Sequence, residues 1–216
     1  MSTPWPWATL ALLGAYHGLN PGMGWLFAVA LGLQEKSGKA VLRSLPPIAA
    51  GHAVSVGLVV ALLAVGRAGL PLQVLSWVTA GCLVAFGLYK LIRPRHPKWV
   101  GMRVSAKDLA WWSFLMATAH GAGLMLLPVF LLGPENPAPC AGPACHAAAG
   151  LSLSSWSGYL TAVGLHTLCM MGAAAAVALV VYYKLGLSLL RTAWFNLDRA
   201  WAAALIAAGV VAVVLR

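Results

Sequence analysis

Tracts of eighteen or more largely uncharged residues recur along this chain, and each is long enough to cross roughly 30 Å of hydrocarbon as a helix. No other feature narrows the fold as much. The segmentation predicts six spans, near residues 5–33, 41–66, 70–92, 110–133, 154–183 and 193–215. The expected fold class is therefore all-α, a polytopic membrane protein in contact with the lipid bilayer. Composition agrees, because only 8% of residues are charged whereas soluble domains have about 25%. The N-terminus lacks a basic n-region and a clear cleavage site, so residues 1–216 are read as one integral membrane domain.

The net charge of +10 could point to nucleic acid, but its distribution points to topology instead. Lys36, Lys39 and Arg43 follow the first tract; Lys90, Arg93, Arg95, Lys98, Arg103 and Lys107 follow the third; Lys184, Arg191 and Arg199 follow the fifth. The other connections hold only Arg67, and Arg216 ends the chain. Basic residues gather on the cytoplasmic side, so twelve of the fourteen fall inside if both termini lie outside. The expected location is a bacterial-type inner membrane, with 94–109 as a cytoplasmic linker and no nucleic-acid partner. Self-association is left open.

The chain also carries a weak copy of itself. "LLGAYHGLNPGMGWLFAVALG" faces "FLMATAHGAGLMLLPVFLLG", each with a small residue before His-Gly, then glycines, a methionine and a proline. "PPIAAGHAVSVGLVVALL" faces "LTAVGLHTLCMMGAAAAVALVV", and two small-residue helices close on Arg93 and Arg216. Three spans per half would invert the second half, giving repeat one at 5–93 and repeat two at 110–216. Inverted repeats with sites on interrupted helices are a transporter plan. The first helix of each repeat is expected to break, at Gly18, Pro21 and Gly22 and at Gly121 and Gly123. Proline removes a backbone donor, and glycine permits unusual dihedrals.

Four histidines, His17, His52, His120 and His166, fall inside predicted spans at matched places in the repeat. Ionisable residues within a membrane are rare, face the interior and mark sites. At helical spacing His17 can meet Asn20, His52 can meet Ser55, and His166 can meet Cys169 and Met170. Imidazole, thiolate and thioether suit late transition metals. The four acids, Glu35, Asp108, Glu135 and Asp198, all fall at span ends or in loops, which argues against calcium or magnesium. The expected substrate-binding set is His17, Asn20, His52, His120, His166 and Cys169, with the four histidines as metal ligands or proton carriers. Cys140 and Cys145 fall in an outer loop, where a disulfide and a metal-capturing Cys145–His146 pair are both open readings.

A first helix interrupted by "NPGMG", a basic "EKSGKAVLR" turn, a helix with an early "GH" and a small-residue helix ending in "GLYKLIR" resemble the lysine-exporter (LysE) superfamily. That group of small six-span proteins includes amino-acid exporters, nickel/cobalt transporters, cadmium-resistance proteins and thiol-redox carriers. The likeness is greatest to the nickel/cobalt (NicO-like) branch, although the His-x4-Asp-His signature of that branch is absent. The redox branch places cysteines in the first and fourth spans, which have none here. The resemblance implies a transporter and not an enzyme, with no catalytic residues. The expected cargo is nickel, cobalt, copper or zinc; the alternatives are export of a small organic or anionic solute, and a membrane metal or thiol assembly factor or enzyme.

Overall fold

A computed structural model of the protein describes residues 5–92, 104–132, 155–185 and 194–214. Every regular element among them is helical. The order is α1 (Trp5–Leu19), a 3₁₀ turn (Pro21–Met23), α2 (Trp25–Gln34), α3 (Gly38–Gly69), α4 (Leu72–Ile92), α5 (Ala106–His120), α6 (Ala122–Leu132), α7 (Trp156–Val180) with a terminal π turn (Val181–Leu185), and α8 (Trp194–Val214). Three helices, α3, α4 and α7 with its extension to Lys184, are long and apolar enough to cross a membrane. The pair α5–α6, bent by 56° at its break, makes a fourth when taken as one span. The other two expected spans correspond to the broken pair α1–α2, of 15 and 10 residues, and to α8.

Local chemistry explains the helix starts. Ser105 caps α5 by accepting from Asp108 N, and Asp108 reaches back to Ser105 N in a reciprocal capping box. Ser155 accepts from Gly158 N at the start of α7. Pro46 and Pro47 lie inside α3, which continues through both to Gly69; membrane helices tolerate such prolines where neighbouring protein meets the freed groups.

Cross-helix contacts fix the directions. Leu10 O meets His166 Nδ1, and Gly18 abuts Ala173 and Ala174, so α1 and α7 run parallel. Gly51 lies against Ala110 and Phe114, Ser55 bonds Thr118 across 2.8 Å and Gly123 abuts Val59, so α3 runs parallel to α5–α6. Gly87 meets Ala202 and Ile206 while Gly209 meets Ala80 and Val84, so α4 and α8 are antiparallel. Gly66 touches Leu75, closing α3 and α4 into a hairpin, and Gly38 touches Tyr183 at the end of α7. These directions bring Lys36, Lys39, Arg43, Lys90, Lys107 and Lys184 to one end of the bundle. Arg67 lies at the other, 3.4 Å from both Phe130 O and Tyr159 Oη.

The apolar core has two main parts stacked along the bundle. One includes Leu10, Val56, Val60, Ala117, Phe130, Tyr159 and Ala162. The other, nearer the basic end, includes Trp25, Val41, Leu45, Ile48, Leu109, Met170 and Ala174. His52 stands four residues from Ile48 and four from Val56; His166 stands four from Ala162 and four from Met170. The histidines therefore occupy the layer between the two apolar clusters.

Candidate functional site

The break after α1 is built by residues 20–24. Asn20 is extended (φ −70°, ψ 120°), and its Oδ1 accepts from Gly22 N at 2.9 Å. Pro21 opens the 3₁₀ turn, where its missing N–H is no loss. Gly24 closes it at φ 107°, a left-handed backbone that favours glycine. Trp25 Nε1 donates to Leu19 O at 3.3 Å, and Met23 N to Asn20 O at 3.0 Å. Groups released by the break are thus met within the protein. The second break needs one residue, Gly121, at φ 69° and ψ 33°.

Two expected break residues have other roles. Gly18 is helical in α1, and a Cβ there would strike Met170 O and come within 2.8 Å of Ala173 Cβ. Gly123 lies within α6, where a Cβ would be 2.6 Å from Val59 Cβ. Both permit close helix packing rather than a turn. Gly14, which the sequence reading missed, does the same against His166 O. Gly14 and Gly18 form a Gly-x-x-x-Gly pair, the signal that could have revealed this contact.

Close packing brings three of the four histidines expected inside spans into ring contact. Centroids are 4.9 Å apart for His17–His166, 5.4 Å for His52–His166 and 5.6 Å for His17–His52. The three come from α1, α3 and α7, and each is 0% exposed. His17 Nδ1 lies 2.8 Å from Leu13 O, and His166 Nδ1 lies 3.2 Å from Leu10 O. A carbonyl accepts only, so each Nδ1 carries the proton and each Nε2 presents a lone pair. His52 differs, since neither of its ring nitrogens has a hydrogen-bond partner. His120 Nδ1 is held by Met116 O at 2.8 Å.

Asn20 lies beside His120. A Cβ on Gly22 would sit 3.2 Å from both Asn20 Oδ1 and His120 Cε1, and 3.3 Å from Met116 Cε. Asn20 Nδ2 is buried without a partner. Cys169 is a free thiol on α7 whose Cβ faces Gly14 of α1; Cys82 is free and exposed on α4. Ser55 bonds Thr118 and so links α3 to α5. Cys140, Cys145 and Glu135 lie outside the described residues.

Coordination at about 2.1 Å to each nitrogen would set imidazole centroids on the order of 5 Å apart, which matches this triangle. As they stand, no three His, Cys, Asp or Glu side chains among the described residues are disposed to hold a metal ion. The His52 and His166 planes lie within 16° of one another. Neither His52 nitrogen has a hydrogen-bond partner, so reorienting that ring toward the other two would break no hydrogen bond. Glu35 and Asp108 are exposed at helix ends, and the Asp108 carboxylate is engaged by Ser105. Compared with known proteins, the chain matches no family model, no curated protein and no solved structure.

Proposed function

We propose that this chain is an inner-membrane transporter that moves a late transition-metal ion, nickel, cobalt, copper or zinc, through a mid-depth centre of His17, His52 and His166. One observation carries the reading: three fully buried imidazoles from three helices touch one another beside a broken helix, and one of them has no hydrogen-bond partner at either nitrogen. A buried polar atom left without a partner costs about 1–3 kcal/mol, a cost that a bound ligand removes. His120 and Asn20, across Gly22, would form the next contact along the path.

The helix pairing supports two inverted repeats of three spans. Exchanging α1–α2, α3 and α4 with α5–α6, α7 and α8 maps the parallel pair α1·α7 onto α3·α5 and the antiparallel pair α4·α8 onto itself. Six passes, with the basic end cytoplasmic and both termini outside, follow the charge rule. The lysine-exporter plan enters the proposal at this level alone.

The test is metal analysis of the purified protein loaded with each ion in turn, paired with flux in proteoliposomes. One ion per chain is expected, with binding weakened on the order of 100-fold in His17→Ala, or about 2.7 kcal/mol. Unchanged metal content and flux in a folded His17→Ala variant would rule the proposal out. Gly22→Ala is expected to bind about tenfold more weakly, because its methyl pushes on Asn20 and His120 by a few tenths of an ångström; titration of the same ion measures it. One observation favours the organic or anionic solute instead. Asn20 Nδ2 is a buried donor in need of an acceptor, and such a solute would bind undiminished in the presence of a chelator.

A further inference from the structure

The charge balance of the histidine centre discriminates among the ions it could take. A metal binds imidazole in its neutral form, so three histidines bring three nitrogens and no negative charge. Of the described acidic residues, Glu35 and Asp108 are exposed at helix ends, and Asp198 is the fifth residue of α8. Because the cost of removing an ion from water grows with the square of its charge, a divalent ion requires about four times the compensation of a monovalent one.

The helix ends at the breaks do not replace the missing carboxylates. Helices α1 and α5 both end at the breaks, at Leu19 and His120, and a helix C-terminus acts as about half a negative charge. Two such ends sum to about one elementary charge, before the opposing N-terminal ends of α2 and α6 are counted. Those N-terminal ends, at Trp25 and Ala122, offset the C-terminal ends, so the breaks add no net negative charge and a divalent ion keeps the larger uncompensated cost. The remaining donors nearby are neutral and soft. Met116 Cε flanks Gly22 together with His120, and Met170, 0% exposed, follows His166 by one turn. Thioether and imidazole are poor replacements for the oxygen shell of a hard ion and good ligands for a soft one.

We infer that the centre selects a soft monovalent cation, of the Cu(I) or Ag(I) class, over soft divalent ions of similar size. The inference rests on reading His17, His52 and His166 as a metal centre, and the experiment separates the two. Isothermal titration of the full-length protein in detergent, with its four cysteines replaced by serine so that no thiol competes for soft ions, compares Ag(I) with Cd(II), which is soft but carries twice the charge. Ag(I) is expected to bind one per chain, on the order of 100-fold more tightly than Cd(II). His52→Asp brings the missing negative charge and is expected to narrow that ratio at least tenfold; His166→Asp provides the same test should the first variant not fold. Cd(II) binding as tightly as Ag(I) in the cysteine-free protein, but lost in His17→Ala, would overturn the monovalent selection and leave the metal centre standing. A ratio unmoved in both folded aspartate variants would overturn the electrostatic cause. Binding of both ions unchanged in His17→Ala would overturn the centre itself.

Discussion

Replacing Gly14 by valine should lower the thermal midpoint by on the order of 10 °C and abolish binding at the histidine centre. Gly14 packs directly on the backbone of α7. A Cβ there would strike His166 O, come within 3.0 Å of His166 C and lie 3.1 Å from Cys169 Cβ. A flexible side chain could move aside, but a helix backbone cannot without displacing the whole segment. Overpacking of a well-filled core costs about 1–3 kcal/mol, and a backbone obstacle belongs at the upper end or beyond. The functional loss has a separate geometric cause. Forcing α1 off α7 breaks the bond from His166 Nδ1 to Leu10 O and carries His17 away from the ring 4.9 Å distant. Gly14→Ala should show the same loss in smaller measure. Gly164→Val is the control, because nothing lies within 4 Å of a Cβ at that position of α7. Circular-dichroism melts and metal titration of the three variants read both effects. A Gly14→Val protein that melts with the wild type would mean that the helices pack otherwise.

What could be read from the sequence, and what could not, follows from the physics of each signal. Apolar length marks helices directly, so the predicted tracts fall on helices within a few residues, from α3 at Gly38–Gly69 to α7 beginning at Trp156. The asparagine, proline and glycines at 20–24 likewise announced a break. Which glycine turns the chain was not legible, because a turn needs only one left-handed residue and several glycines were on offer. The turn uses Gly24 and Gly121, while Gly18 and Gly123 serve close packing. Histidine placement was legible as rare polar residues in apolar tracts. Their mutual contact was not, since it depends on the backbone approach that Gly14 and Gly18 allow. Helical spacing paired His17 with Asn20 and His52 with Ser55, yet Asn20 Oδ1 caps its own turn and Ser55 bonds Thr118. A period identifies which residues share a face; it does not identify which partner on another helix arrives there first.

His52→Leu should raise the thermal midpoint while eliminating ligand binding. The side chain is 0% exposed on α3, between Ile48 and Val56, and both ring nitrogens lack a hydrogen-bond partner. Each such atom costs about 1–3 kcal/mol, whereas a leucine of similar bulk has no polar atom to desolvate. Its neighbours His17 and His166 keep their own carbonyl bonds to Leu13 and Leu10, so the substitution strands no partner. A gain of about 2 kcal/mol would move the midpoint upward by roughly 4–8 °C for a chain of this size. Stability gained where function is lost is the pattern of a residue retained for its chemistry. A purely structural histidine gives the opposite sign: its bonds are satisfied, and leucine in its place leaves carbonyls or hydroxyls bereft. Thermal melts of His52→Leu and His17→Leu, measured together with metal binding, compare the two cases. A lowered midpoint for His52→Leu would show that the imidazole is held by hydrogen bonds through buried water, and would remove the principal reason to assign it a ligand.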